Sequence, residues 1–503
     1  MNNHISFFDF ILKDRTNKKY LFIALAGMIV QFIIFKLLYP YADFFSDSYS
    51  YIYAAYANLD VSIWPIGYSK FLRIFHFITY SDTALVGFQY FFFELASLYF
   101  FFTILYFFNL GRANQIITFI FLFFNPLVLY VSNYINSDPL FIALSLCWFT
   151  QLIWIIQRPH ISQIFIQAIL LFACFTVRNN AYYYPFITAV AFVLSSYKLS
   201  LKVFGTLLGL MFILPFVVHT RNVAYKMTGT KQFSLFTGWQ LANNILYAYE
   251  YLDAPRNFPS TQSKELDNLS QQFYSSIPSD FKEVYLMKNP GNFFIQYSTA
   301  PLKVYFSNHY KITDEYSSVV AWGKASVIFT EYASYLIKNN PTAYFHEFVI
   351  PNSKNYFIPH LEKLEVYNLG MNKVYPIARY WFHYKNVEIS SVSPNIQGRI
   401  LFIFPFIFLM INLYLLGNAI SFLIKNEYSF ACIKRYSLFI LIGCFWIANF
   451  IFCISTTIIV LRYEVFPLII GFSSTLLLIE RINKKVSKKV VSNLQISGEI
   501  GVI

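Results

Sequence analysis

Tyr20-Leu-Phe-Ile-Ala-Leu-Ala-Gly-Met-Ile-Val-Gln-Phe-Ile-Ile-Phe-Lys-Leu-Leu38 runs almost directly into Ala42-Asp-Phe-Phe-Ser-Asp-Ser-Tyr-Ser-Tyr51 and then Trp64-Pro-Ile-Gly-Tyr-Ser-Lys-Phe-Leu72. The first segment is apolar over the roughly 20 residues that a helix needs to cross a bilayer core. The second puts two carboxylates, Asp43 and Asp47, close to the membrane surface in a chain otherwise sparing with acid. This order of segments marks a helical membrane protein with chemistry at one face.

Composition agrees. The chain is 57% hydrophobic and 13% charged, against about 25% charged in an ordinary soluble domain, so it cannot build a water-soluble shell. Its 59 Phe and 40 Tyr suit lipid and the headgroup level, where tyrosine keeps an apolar body and a wet tip. They carry no catalytic weight.

Ten apolar spans are expected: 20–38, 84–108, 115–132, 139–157, 161–177, 182–195, 201–219, 398–424, 436–460 and 465–479, the sixth and tenth being short. Lys13, Arg15, Lys18, Lys19, Arg112, Arg158, Lys198, Lys202, Lys425, Lys434, Arg435 and the tail from Arg481 to Lys489 then fall on one side. By the positive-inside rule that side is cytoplasmic, with both termini. The net charge of +13 comes partly from this tail, a membrane anchor rather than a nucleic-acid surface.

The same alternation sends the 39–83 loop, Asn136-Ser-Asp138, Arg178-Asn-Asn180, the long 220–397 stretch and Arg462-Tyr-Glu464 to the opposite face. Expected units are a 1–219 membrane module, a 220–397 extracytoplasmic domain of mixed character, a 398–480 group of terminal helices, and a 481–503 basic tail. A charged leader before the first span reads as a retained helix rather than a cleaved signal. The five cysteines lie in or beside spans, which argues against a disulfide framework or a thiolate zinc site.

Within 220–397 no clean sheet or bundle can be read. Lys288-Asn-Pro-Gly-Asn-Phe-Phe-Ile and Lys338-Asn-Asn-Pro-Thr-Ala-Tyr-Phe-His-Glu-Phe read as proline-initiated amphipathic helices, each expected to lay an aromatic face on the membrane surface.

Five motifs in order carry a resemblance: Asp47-Ser-x-x-Tyr51, Pro65-x-Gly-Tyr-x-x-Phe-Leu72, Ser137-Asp-Pro-Leu-Phe141, an Arg-Asn pair before the outer domain, and Arg462-Tyr-x-x-x-Pro467. The set resembles the GT-C superfamily of membrane glycosyltransferases, nearest to bacterial proteins similar to protein mannosyltransferases and to the aminoarabinose transferase of lipid A. The match covers most of the membrane portion, not the outer domain. It implies an all-α, GT-C-like polytopic fold in a bacterial inner membrane. It also implies inverting transfer of a sugar from a polyprenyl-phosphate donor to a glycan, lipid or protein acceptor on the extracytoplasmic face.

An attacking hydroxyl must lose a proton, and a phosphate leaving group needs positive charge. The resemblance implies Asp47 as general base, with Asp43 the alternative; either acid also suits a helix N-cap near Ser48. Asp138 opens a span where the family often has glutamate, and is either an acceptor or supporting group or a partner of the helix dipole. Arg178, Arg221 and Arg462 break the positive-inside pattern; with Tyr463 they are candidates for the carrier phosphate, or they snorkel. Tyr68 and Lys70 are candidates for the acceptor side, beside the turn marked by Pro65 and Gly67. His219 reads as a helix-end group. Some superfamily members hold a divalent cation, for which Asp43, Asp47 and Asp138 are the available ligands; no obligatory metal or cofactor is expected. The rival readings are a flippase or transporter of a lipid-linked glycan, and a repeat-unit polymerase.

Overall fold

A computed structural model describes residues 5–253, 257–278, 282, 291–424 and 436–499. Lys288 to Pro290, Lys425, Cys432, Lys434 and Arg435 lie outside them. The described chain is helical, with isolated bridges at Asp43–Tyr134, His360–Val460 and Lys373–Glu388 in place of strands.

Eight described helices are long and apolar enough to cross a membrane: Arg15–Leu38, Asp82–Phe107, Arg112–Ser132, Ser137–Gln157, Leu199–Thr228, Ile396–Ser421, Ser437–Thr456 and Val465–Lys484. The two other expected spans are shorter. Ile161–Val177 has 17 residues and Tyr184–Leu194 has 11, about 25 and 16 Å at 1.5 Å per residue. Between them the chain breaks at Arg178 and makes a short 3-10 turn, Asn179–Tyr183. The Arg112–Ser132 span is itself interrupted, because Asn125 caps a new start at Pro126 by accepting the Leu127 N–H at 3.0 Å.

Ser137–Gln157 is the central element, its apolar window 89% buried. Trp148 stacks on Tyr184 at 3.9 Å. Their polar ends are satisfied locally: the Trp148 indole N–H donates to Thr188 at 3.3 Å and the Tyr184 hydroxyl to Ser145 at 2.9 Å. Buried polar groups without water need such partners. Arg15–Leu38 and Leu199–Thr228 lie at the periphery, 17% and 22% buried over their apolar windows.

At one end of the bundle Glu480 accepts the Gly111 N–H at 2.8 Å, and Arg158 donates to the Tyr106 hydroxyl at 2.8 Å. The first loop, Asp138, Arg178 and Arg462 gather at the other end.

The outer stretch does not begin at 220. Leu199–Thr228 continues through that position and stops at Gly229, which takes the left-handed conformation, φ 80°, that ends many helices. Beyond it are two structures. Thr237–Leu246 packs against Glu315–Asn339 in a separate helical core holding Trp239, Leu302, Phe329 and Phe348. Residues from Tyr356 onward join the core of the membrane part, through Leu364, Tyr367 and Trp381. Tyr375 stacks on Tyr49 of the first loop at 4.2 Å.

Pro341–Tyr344 does open a helix at proline, but it faces inward. Phe348 is fully buried and the Tyr344 hydroxyl donates to Ser455 O at 2.9 Å. Burying Tyr344 and Phe348 in the outer core outweighs laying them on lipid headgroups, while Phe345 and His346 stay exposed.

Gly238 allows the tight contact of the outer core, since a Cβ there would sit 1.8 Å from the Ser326 carbonyl oxygen. Gly238→Ala is therefore expected to cost about 1–3 kcal/mol through overpacking, read as a lower melting temperature of the purified protein. Gly417→Ala, which meets nothing within 4 Å, leaves melting unchanged or slightly raised.

Candidate functional site

The site is assembled from four chain segments, and backbone pairing brings them together. Asp43 N–H donates to Asn133 O at 2.9 Å and Ile135 N–H to Asp43 O at 3.1 Å, so the first loop lies along the entry to Ser137–Gln157. Leu461 N–H donates to His360 O at 2.8 Å. That bond carries Glu362 and Lys363 to the Leu461–Tyr463 turn.

Asp43 is a clamp, 2% exposed. Its carboxylate accepts the Asn368 N–H at 2.8 Å, in a turn where Asn368 and Leu369 are left-handed, φ 48° and 53°. Burial pushes its carboxyl up to about 8, against the hydrogen bonds that favour the charged form. It does not line the cavity described below.

Asp47 does. It stands in the first turn of Ser46–Tyr56, but the turn is closed by Ser48, whose Oγ accepts the Phe45 N–H at 3.1 Å. Asp47 Oδ1 accepts from Ser46 Oγ at 3.3 Å, while Oδ2 lies 3.7 Å from Lys363 Nζ and 3.9 Å from Arg462 Nη2.

Beneath it Asp138 is shared by two arginines. Arg178 Nη1 pairs with Oδ1, and Arg462 Nη1 lies 3.2 Å from Oδ2. Asp138 and Arg462 each keep 5% side-chain exposure. Arg462 Nη2 donates to the Tyr463 hydroxyl at 2.8 Å. Aromatic faces line the cations: Tyr463 lies 4.5 Å from Arg178 and 4.6 Å from Arg462, and Phe45 lies 5.0 Å from Arg462 and 4.3 Å from Lys363. Arg462 Nε faces Glu362 Oε2 at 3.4 Å, yet neither atom makes a hydrogen bond. Glu464 supports the turn from behind by accepting from Asn449 at 3.2 Å, and burial pushes its carboxyl up to about 7.

Asp47, Arg178, Glu362, Lys363, Arg462 and Tyr463 line one cavity of about 910 Å³ between the end of the bundle and the outer helices. That volume suits a substantial ligand. Phe452 and Ile458 form an apolar flank, and Trp64, Phe236 and Trp322 an aromatic roof.

The other candidates lie elsewhere. Tyr68 is buried and donates to Gln89 at 2.7 Å. Lys70 pairs with Asp60 at 2.8 Å. Arg221 is exposed on its helix and does not line the cavity, while His219 lies 3.8 Å from Asp60. Asp43, Asp47 and Asp138 do not converge as metal ligands, because their oxygens face Asn368, Lys363 and the arginines respectively. Among the described residues no group of three or more His, Cys, Asp or Glu could hold a metal ion. Glu362 and Lys363 were not foreseen; they stand among many charges in the outer stretch, and only the left-handed backbone at Glu362, φ 52°, sets them apart. No family model, no curated protein and no solved structure matches this chain.

Removing the shared carboxylate takes from Arg178 its ion pair and from Arg462 the nearest of its three. Asp138→Asn is expected to destabilise the protein by about 3–5 kcal/mol, far more than Asp47→Asn at the cavity wall, when apparent melting is compared in detergent. Asp43 sets a pH dependence as well. Unfolded, it titrates near 4; folded, near 8. Between those values the folded chain holds a proton that the unfolded chain releases, so stability present below pH ~4 is lost as pH rises to ~8. Asp43→Asn should flatten the decline of melting temperature with pH, to which Glu464 adds a contribution of the same sign.

Proposed function

We propose that this protein is an inverting membrane glycosyltransferase that moves a sugar from a polyprenyl-phosphate carrier to an acceptor at the extracytoplasmic face. The carrying observation is that Asp47 and the Arg462 guanidinium face one cavity 3.9 Å apart, with Arg178 beside them.

In this reading the acceptor hydroxyl gives its proton to Asp47 as its oxygen bonds to the anomeric carbon. The bond from that carbon to the carrier phosphate breaks on the opposite side, and the phosphate leaves with the electron pair. Arg178, Arg462 and Lys363 stabilise the charge that develops there, fixed in advance by aromatic faces and by Asp138. Asp138 positions the two arginines and does not meet the acceptor. The apolar flank at Phe452 and Ile458 offers the hydrocarbon chain a way in from the lipid. No metal or cofactor is assigned a step.

Passage through the membrane is the weaker reading. Below Asp138 the bundle is closed by packed rings, Phe141 on Tyr184 and Tyr184 on Trp148. The positive-inside pattern supports an extracytoplasmic site with cytoplasmic termini.

Purified protein supplied with a panel of polyprenyl-phosphate sugars tests this. Asp47→Asn should lose about 10²–10⁴-fold in kcat, as a general base does, while still binding donor. Arg178→Lys, which keeps charge but loses the planar fork, should raise the donor KM. Unchanged turnover in a folded Asp47→Asn protein removes the assignment.

A further inference from the structure

The roof of the cavity has a chemistry that phosphate departure at its floor does not use. Trp64 comes from the first outer loop and Trp322 from Glu315–Asn339. Phe236 joins them, 4.6 Å from the Trp64 ring and 6.2 Å from Trp322, nearly parallel to the latter. All three are only partly buried, so the cavity keeps access to them. Amides stand alongside: Gln240, Gln296 and Asn292 line the same space, and the buried Asn292 Oδ1 has no hydrogen-bond partner.

Lys303 completes the group. Its ammonium lies 5.1 Å from the Trp322 ring and 5.7 Å from Trp239, and burial pushes it below the ordinary lysine range. Arg178, Lys363 and Arg462 each have a carboxylate within 4 Å. Among the described residues, Lys303 is the cavity-lining cation that pairs with none.

We infer that this roof is a saccharide subsite: the acceptor is a glycan whose pyranose ring lies on Trp64, Phe236 and Trp322 and whose carboxylate, from a uronic acid, pairs with Lys303. The word acceptor rests on the proposed transfer; the saccharide site does not. A pyranose presents polarised C–H groups on one face, which meet the negative face of an aromatic ring, and hydroxyls at its rim, which meet amides. An acyl chain would leave the amides and the cation unused. A peptide bound by strand addition needs an open sheet edge, and the described chain has no strand.

The test is equilibrium binding of short oligosaccharides of galacturonate, glucuronate and mannuronate, and of their carboxyl-reduced forms, to the full-length protein in nanodiscs. At least one oligouronide should bind the wild type. Its affinity should fall at least tenfold in Trp322→Ala and in Lys303→Met, recover in Trp322→Phe, and fall at least tenfold on carboxyl reduction. No binding of any oligouronide at millimolar concentration overturns the inference, as does binding indifferent to both substitutions in folded protein or equal binding of the neutral forms. Oligouronide binding without sugar transfer from any polyprenyl donor would sink the glycosyltransferase reading and spare this one. Transfer to a sugar-free acceptor with no oligosaccharide bound would do the reverse.

Discussion

One carboxylate shared by two arginines, Asp138 between Arg178 and Arg462, is the constraint on which the rest depends. Desolvating such charges costs several kcal/mol each, and the arrangement persists only because they meet one another in good geometry. To bring them together the fold gives up regularity. Arg178 stands at the turn between two short helices, Ile161–Val177 and Tyr184–Leu194, and a 3-10 turn before Val465 aims Arg462 at the N-terminus of Ser137–Gln157. The helix dipole favours an acid at that terminus, and the acid in turn fixes both cations.

A second layer surrounds this pair of contacts. Asp43 holds the Asn368 turn, and the His360–Val460 bridge holds Glu362 and Lys363 against Arg462. The segment that follows the separate outer helices thus folds back to become a wall of the cavity. Arg462 Nε and Glu362 Oε2 face each other, buried and 3.4 Å apart, without a hydrogen bond.

Legibility followed the scarcity of charge. In a membrane portion with few ionisable residues, Asp47, Asp138, Arg178 and Arg462 each stood out, and the structure brings these four within reach of one another. The outer stretch is rich in mixed charge, so Glu362, Lys363 and Lys303 carried no signal; only tertiary pairing selects them. Arg221 was singled out by the same scarcity argument, but it sits on the exposed side of a peripheral helix. Tyr68 and Lys70 belong to a motif whose work in this fold is packing, as Gly67 shows by its approach to Thr176, where a Cβ would lie 2.6 Å from the carbonyl oxygen. Hydropathy located all ten apolar segments and marked the sixth as short, as Tyr184–Leu194 is, but it also marked the tenth, which is the 20-residue Val465–Lys484, and passed the 17-residue Ile161–Val177, because an apolar helix buried in a bundle has the same composition as one facing lipid.

The most direct measurement is an experimental structure of the protein with a non-transferable polyprenyl-phosphonate sugar. The phosphonate should lie against Arg178 and Arg462, with the polyprenyl chain leaving past Phe452 and the anomeric carbon facing Asp47 with room between them for a hydroxyl. A phosphonate bound away from the two arginines, or an anomeric carbon turned from Asp47, would contradict the proposed transfer.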